Sequence, residues 1–185
     1  MEEKRVVLDV ARRLRTHLVN AGFKVYLTRE NDRFVELDER SRKAQRWGAD
    51  LFISIHLNSA ASTAAAGAET YVLAAAGYES TSGGLSNLTQ PGNRFEAANT
   101  VVAYQIQRAM TQRLGANDRG VKRSRFLVLK NAPCPAVLVE CAFVSNAREE
   151  EQLLQESRRE ALAQSLARGT INYLNLAKRA QLEGK

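Results

Sequence analysis

The sequence predicts an α/β fold with a mostly parallel sheet flanked by helices on both faces. Two observations carry that prediction. Helix-like and strand-like patterns alternate through most of the 185 residues, the order expected when helices connect parallel strands. Two apolar runs, "ADLFISIH" and "PAVLVECAF", read as buried strands, and each meets an ionisable residue, His56 and Glu140, at its end. A chain of this length suits one domain spanning residues 1–185.

In order along the chain, Val6, Val7, Val10, Ala11, Leu14 and Leu18 recur at helical spacing, and Gly22 can end that helix in a left-handed turn. In "FKVYLT", Phe23, Val25 and Leu27 alternate with Lys24 and Tyr26, which predicts a strand. Leu37, Arg40, Ala44 and Trp47 mark a second helix before Gly48. The strand Leu51–Ile55 follows, leaving the sheet at His56, and "ETYVLA" predicts another. Residues 75–93, "AAGYESTSGGLSNLTQPGN", have the glycines and polarity of a loop. Phe95 to Leu114 reads as an amphipathic helix closed by Gly115. Lys122, Arg123 and Arg125 fall in a loop before "FLVLK" and "AVLVECAF", which the prolines of "NAPCP" separate. Helical segments over about 147–156 and 158–178 close the chain. The opening is unusual, because the chain starts on a helix where such folds commonly start on a strand.

Composition narrows the function classes. The net charge of +7 allows attraction to an anionic polymer, but the basic residues are scattered and no aromatic stacking platform accompanies them, so nucleic acid is not an expected partner. No apolar run is long enough to cross a bilayer, and the start lacks the apolar core of a signal peptide. Cys134 and Cys141 form neither a CxxC pair nor a disulfide framework, and are read as buried structural thiols.

His56 is one of two histidines. Its position at a strand end fits either a hydrogen-bonded structural residue or a ligand or base, since open α/β sheets bind ligands beyond the carboxyl ends of their strands. Glu140 follows four apolar residues. A buried carboxylate there needs a cation, a metal or hydrogen bonds to offset its desolvation. It reads either as a buried salt bridge or as a general base whose pKa burial would raise. A parallel sheet would bring both residues to one edge.

"LFISIHLNS", "ETYVL", "RGVKRSRFLVLKNAPCPAVLVECAFVSN", "TRENDRFVELDERSRKAQRWGADLFISIH" and the opening "EKRVVLDVARRL" together resemble the zinc-dependent N-acetylmuramoyl-L-alanine amidases of the amidase-3 type. The resemblance covers nearly the whole chain, with the blocks in the expected order. It implies a hydrolase of the amide joining N-acetylmuramic acid to L-alanine in peptidoglycan, acting in the periplasm or at the cell wall. It implies zinc as cofactor, with Glu3 and His56 as ligands, Glu2 as the neighbouring fallback, and Glu140 as catalytic base. The resemblance leaves open whether an activator protein is a further partner. The family's first strand, with its glycine-rich turn and second ligand histidine, has no counterpart here. His17 lies within the first helix and cannot replace that histidine. The expectation is an N-terminally incomplete catalytic domain, with exposed apolar surface beside the sheet. The alternative is a weak or inactive cell-wall-binding module of the same fold. Some relatives carry an inhibitory helix, and the glycine-broken stretch 75–93 is not expected to hold one.

Overall fold

The computed structural model describes residues 1–183. Six helices and four strands follow one another as α1 (Glu3–Asn20), α2 (Leu37–Arg46), β1 (Phe52–Asn58), β2 (Ala68–Leu73), α3 (Glu96–Leu114), β3 (Asp118–Ser124), α4 (Leu127–Lys130), β4 (Ala136–Phe143), α5 (Ala147–Leu154) and α6 (Glu156–Glu183), with a 3-10 turn at Pro91–Phe95. The strand order is β1-β4-β2-β3. β1 pairs parallel with β4 and β2 with β3, while β2 and β4 run antiparallel. The sheet is therefore mostly parallel, as the sequence predicts.

Alternation along the strands sorts the side chains into two cores. Val137 and Val139 pack with Val10 and Leu14 of α1, Ile106 and Met110 of α3, and Leu162 and Leu166 of α6. The opposite face buries Phe52, Ala136 and Leu138 against Ala44 of α2 and Val128 and Leu129 of α4. Each such buried aliphatic side chain contributes about 1.5–3 kcal/mol. The second cluster reaches Leu138 on β4 and Phe52 on β1 and goes no further toward their carboxyl ends. Beyond it, that face of the sheet is free to carry polar groups.

Two sequence expectations need correction. The stretch from Phe23 to Thr28 belongs to no strand. Phe23 and Val25 do pack on the larger core, and Tyr26 stacks on Trp47 with ring centroids 4.9 Å apart, so the two-fold alternation is kept without a pairing partner. A cavity of about 830 Å³ separates this stretch from β1, lined by Phe23 to Thr28 on one side and Leu51 to His56 on the other. β1, an edge strand, pairs with β4 alone. Second, the basic segment Asp118–Ser124 is a strand. Its charges mask the pattern because it is an edge, with its side chains mostly wholly or partly in solvent on an alternation disturbed by a register shift. The apolar stretch "FLVLK" holds the short helix α4.

Candidate active site

Register builds the site. The parallel pairing of β1 with β4 sets His56 opposite Glu140, and the antiparallel pairing of β4 with β2 sets Glu140 opposite Glu69. Cross-strand partners share a face. The three ionisable residues thus form one row on the face where the smaller core has ended. With strands about 4.8 Å apart, the row is about 10 Å long. The strand carrying His56 continues to Asn58, so His56 does not leave the sheet as expected; a register shift between His56 and Asn58 disturbs the ladder just after it.

Glu3 enters from the first turn of α1, where an acidic residue also suits the helix dipole. Its Oε1 lies 3.1 Å from His56 Nδ1 and accepts the Leu57 N–H at 3.2 Å. The bond with His56, aided by that N–H, holds the Glu3 carboxyl below the usual carboxylate range despite burial. The other ring nitrogen, Nε2, is 3.0 Å from Ser54 Oγ. Ser54 lies two residues before His56 and on the same face, a pairing that the sequence expectations did not include. Glu2, the fallback, makes an ion pair with Arg5 away from His56.

Glu140 sits between two other carboxylates. Its Oε2 is buried and has no hydrogen-bond partner. Burial pushes its carboxyl up to about 7; His56 opposes the shift, and the charges of Glu3 and Glu69 add to it. A salt bridge, the structural alternative for this residue, is absent among the described residues. A carboxylate near 7 can both take and return a proton at neutral pH.

Glu69 escaped the sequence reading, although a carboxylate inside "AETYVL" is the same kind of signal as Glu140 inside "AVLVECAF". It is buried and accepts bonds from Asn58, Tyr71, Arg119 and Lys122. Burial pushes its carboxyl up, but the bonds from Lys122, Arg119 and Tyr71 outweigh that and hold it low. His17 lies outside the site, bonded to Glu160 at 2.6 Å.

The donors can be tested against a metal. Two ligands on one tetrahedral zinc, each at 2.0–2.2 Å, stand about 3.3 Å apart. The 3.1 Å between His56 Nδ1 and Glu3 Oε1 fits such a pair, and Ser54 holds the far ring nitrogen as outer partners of ligand histidines do. Among the described residues, no group of three or more His, Cys, Asp or Glu side chains joins them. The pair fits part of a zinc site and leaves a third protein ligand to be supplied.

A family model described as N-acetylmuramoyl-L-alanine amidase matches residues 1–172. The chain belongs to that family. It is 40% identical over 172 residues to the N-acetylmuramoyl-L-alanine amidase LytC of Bacillus subtilis, covering 92% of this chain and 31% of that protein. It is 31% identical to the amidase AmiC of Escherichia coli, covering 92% of this chain and 47% of that one. The chain thus spans about a third to a half of the length of these curated relatives. Among solved structures, the catalytic domain of the amidase CwlV from Bacillus (Paenibacillus) polymyxa superposes with a TM-score of 0.77 at 31% identity, covering 94% of this chain and 86% of that one. The CwlD amidase of Clostridioides difficile, solved in complex with the GerS lipoprotein, gives 0.80 at 25% identity, covering 95% and 88%.

Proposed function

We propose that this chain is the major part of the catalytic domain of a peptidoglycan hydrolase that cleaves the amide between N-acetylmuramic acid and L-alanine of the stem peptide. The observation that carries the reading is Glu140, a buried carboxyl near neutrality with an unpartnered oxygen, set in register beside the His56–Glu3 pair. His56 and Glu3 would hold zinc, with a third ligand outside the described residues. When bound, zinc supplies Lewis-acid polarisation of the scissile carbonyl and a lowered pKa for water. Glu140 accepts the proton of the attacking water and delivers it to the departing amine as the C–N bond breaks. Ser54 fixes the His56 ring, and the Leu57 N–H fixes Glu3.

The domain reading is that a further strand completes the site from upstream, entering the cavity beside β1 with a ligand histidine. Support comes from the edge of β1 and the unpaired stretch 23–28, which face each other across that cavity. Peptidoglycan is the partner and the cell wall, outside the cytoplasmic membrane, the place of action; no described helix is long and apolar enough to cross a membrane. An activator protein remains part of the reading, and residues 75–90 hold no helix of the inhibitory kind.

The test is muropeptide release by a form that supplies the third ligand. Glu140→Gln should lower it by about two to four orders of magnitude while zinc content stays near that of the parent. His56→Ala should lose metal and activity together. Loss of zinc in Glu140→Gln would make Glu140 a ligand and overturn the division of roles. The second reading, a binding module without catalysis, rests on the two-ligand count among the described residues. It requires that muropeptides bind and are never cleaved, whatever ligand is supplied.

A further inference from the structure

The hydrolytic step leaves Glu69 unused, yet this carboxylate is the most elaborately bonded group on the open face. Its side chain is 2% exposed. Asn58 Nδ2 and Tyr71 Oη donate to Oε1 at 2.7 Å each, while Arg119 Nε and Lys122 Nζ donate to Oε2 at 2.8 and 2.5 Å. One cation would balance the charge. Two are present, so the cluster carries a net positive charge.

The two cations also hold donors in reserve. Arg119 spends only Nε on the protein, and its terminal amino groups have no acceptor among the described residues. Lys122 spends one of three N–H groups. Their side chains are 36% and 21% exposed, so these donors can reach a ligand. The Arg119 guanidinium lies over the Phe143 ring at 4.8 Å, which fixes its plane.

Backbone geometry brings the pair together. Residues 119 and 122 are an odd number apart and would face opposite sides of a regular strand. The register of β3 against β2 shifts between Ala68 and Thr70, and Gly120 there has φ +80°, a conformation that favours glycine. Such bulges re-aim side chains, often beside active sites. This one turns both cations onto Glu69. Because Glu69 stands opposite Glu140, the pair lies about one strand spacing beyond the proposed base, on the side away from His56. At about 3.3 Å per extended residue, that is the reach of the first or second residue past the scissile amide.

We propose that Arg119 and Lys122, held in place by Glu69 as a positioning residue, bind a carboxylate on the peptide side of the scissile bond and set a preference for acidic over amidated peptides. The proposal rests on the amidase reading of the same cleft. Calorimetric titration of the chain with N-acetylmuramoyl-L-alanine and with N-acetylmuramoyl-L-alanyl-glycine, each beside its own carboxamide, tests it at the first and the second residue. The acid should bind about tenfold or more tighter in at least one pair, the scale of a charge-assisted contact. Lys122→Met should remove most of that preference, read as the ratio of the two affinities, and Lys122→Arg should restore part of it. Glu69→Gln should shrink the ratio between the two ligands with both cations still present; a purely structural Glu69 would weaken both ligands alike and keep their ratio. Equal binding of acid and carboxamide by the parent chain in both pairs would overturn the proposal and leave the amidase reading standing. Binding of neither would overturn both.

Discussion

Burial raises Glu140 to about 7 from an ordinary 4.5, and that rise ties its chemistry to the stability of the fold. Below about pH 4.5 the carboxyl is protonated in the folded and unfolded chain alike and changes nothing. As pH climbs through 4.5 toward 7, the unfolded chain releases the proton while the folded chain keeps it, so stability falls with pH. At 1.36 kcal/mol per pKa unit, the full loss above pH 7 is about 3 kcal/mol. Glu140→Gln, neutral at every pH, should therefore raise Tm by several degrees at pH 8 in the metal-free chain and leave it nearly unchanged at pH 4. A Tm difference independent of pH would remove burial of charge as the cause. His56 and Glu140 were legible because each interrupts an apolar run with an ionisable group. Glu3 was not legible from physics alone, since an acidic residue near a helix start has a sufficient reason in the helix dipole. Only the resemblance singled it out, and the structure then set its Oε1 against His56. Glu69 was passed over because it opens its strand run, where a charge looks like a boundary.

At the scale of elements, α1 and α6 are joined over the larger core by an ion network. Asp9 bonds Arg13 and Arg159, and Arg13 also bonds Glu156 and Glu160. Burial pushes Asp9 up, but the bonds from Arg159 and Arg13 hold it below its ordinary value; Arg13 and then His17 lower Glu160. Depressed carboxylates stabilise the fold above their ordinary pKa, and that contribution fades as pH falls through the depressed value. Amide hydrogen-exchange protection along α1, taken relative to the intrinsic rate at each pH, should fall below about pH 4, and Arg13→Met should shrink that acid response. Each pair is partly solvated and worth under about 1 kcal/mol, so core packing contributes more than the ion network to holding these helices together. Gly169 shows how close that packing is: a Cβ there would lie 2.5 Å from Ile106 Cα, where α6 crosses α3. Gly to Ala within a helix ordinarily stabilises by about 1 kcal/mol. Gly169→Ala should instead destabilise by about 1–3 kcal/mol, read as a lower Tm. Helices with a full apolar stripe, such as α1 and α3, were legible in the sequence. β3 was not, because an exposed edge strand rich in arginine and lysine carries little of the apolar alternation on which such a reading depends.

One of the two sheet edges, that of β1, faces a stretch of unmet pairing. β1 ends the sheet, and Leu51 to His56 line a cavity whose far wall is the alternating but unpaired stretch Phe23 to Thr28. A strand edge of about six residues presents about 20 Å of backbone whose N–H and C=O groups are left for another strand or for water. That explains why "FKVYLT" reads as a strand in sequence and is none in the structure: its pattern is intact, and no strand pairs with it among the described residues. Apolar side chains along both walls, Ile53 and Ile55 from β1 and Phe23 and Val25 opposite, are only partly buried. The chain should therefore bind an apolar-sensing dye and self-associate at high concentration. A form extended by a strand that fills the cavity should lose both properties and raise Tm; on the proposed assignment of His56 and Glu3 as ligands it should also bind zinc far more tightly, because the same strand would bring the third. The three readouts must move together. Tighter zinc binding with dye binding unchanged would mean that the third ligand arrives by another route. Equal zinc affinity with and without the strand would mean that His56 and Glu3 do not share a metal, and the pairing seen between them would be only a hydrogen bond.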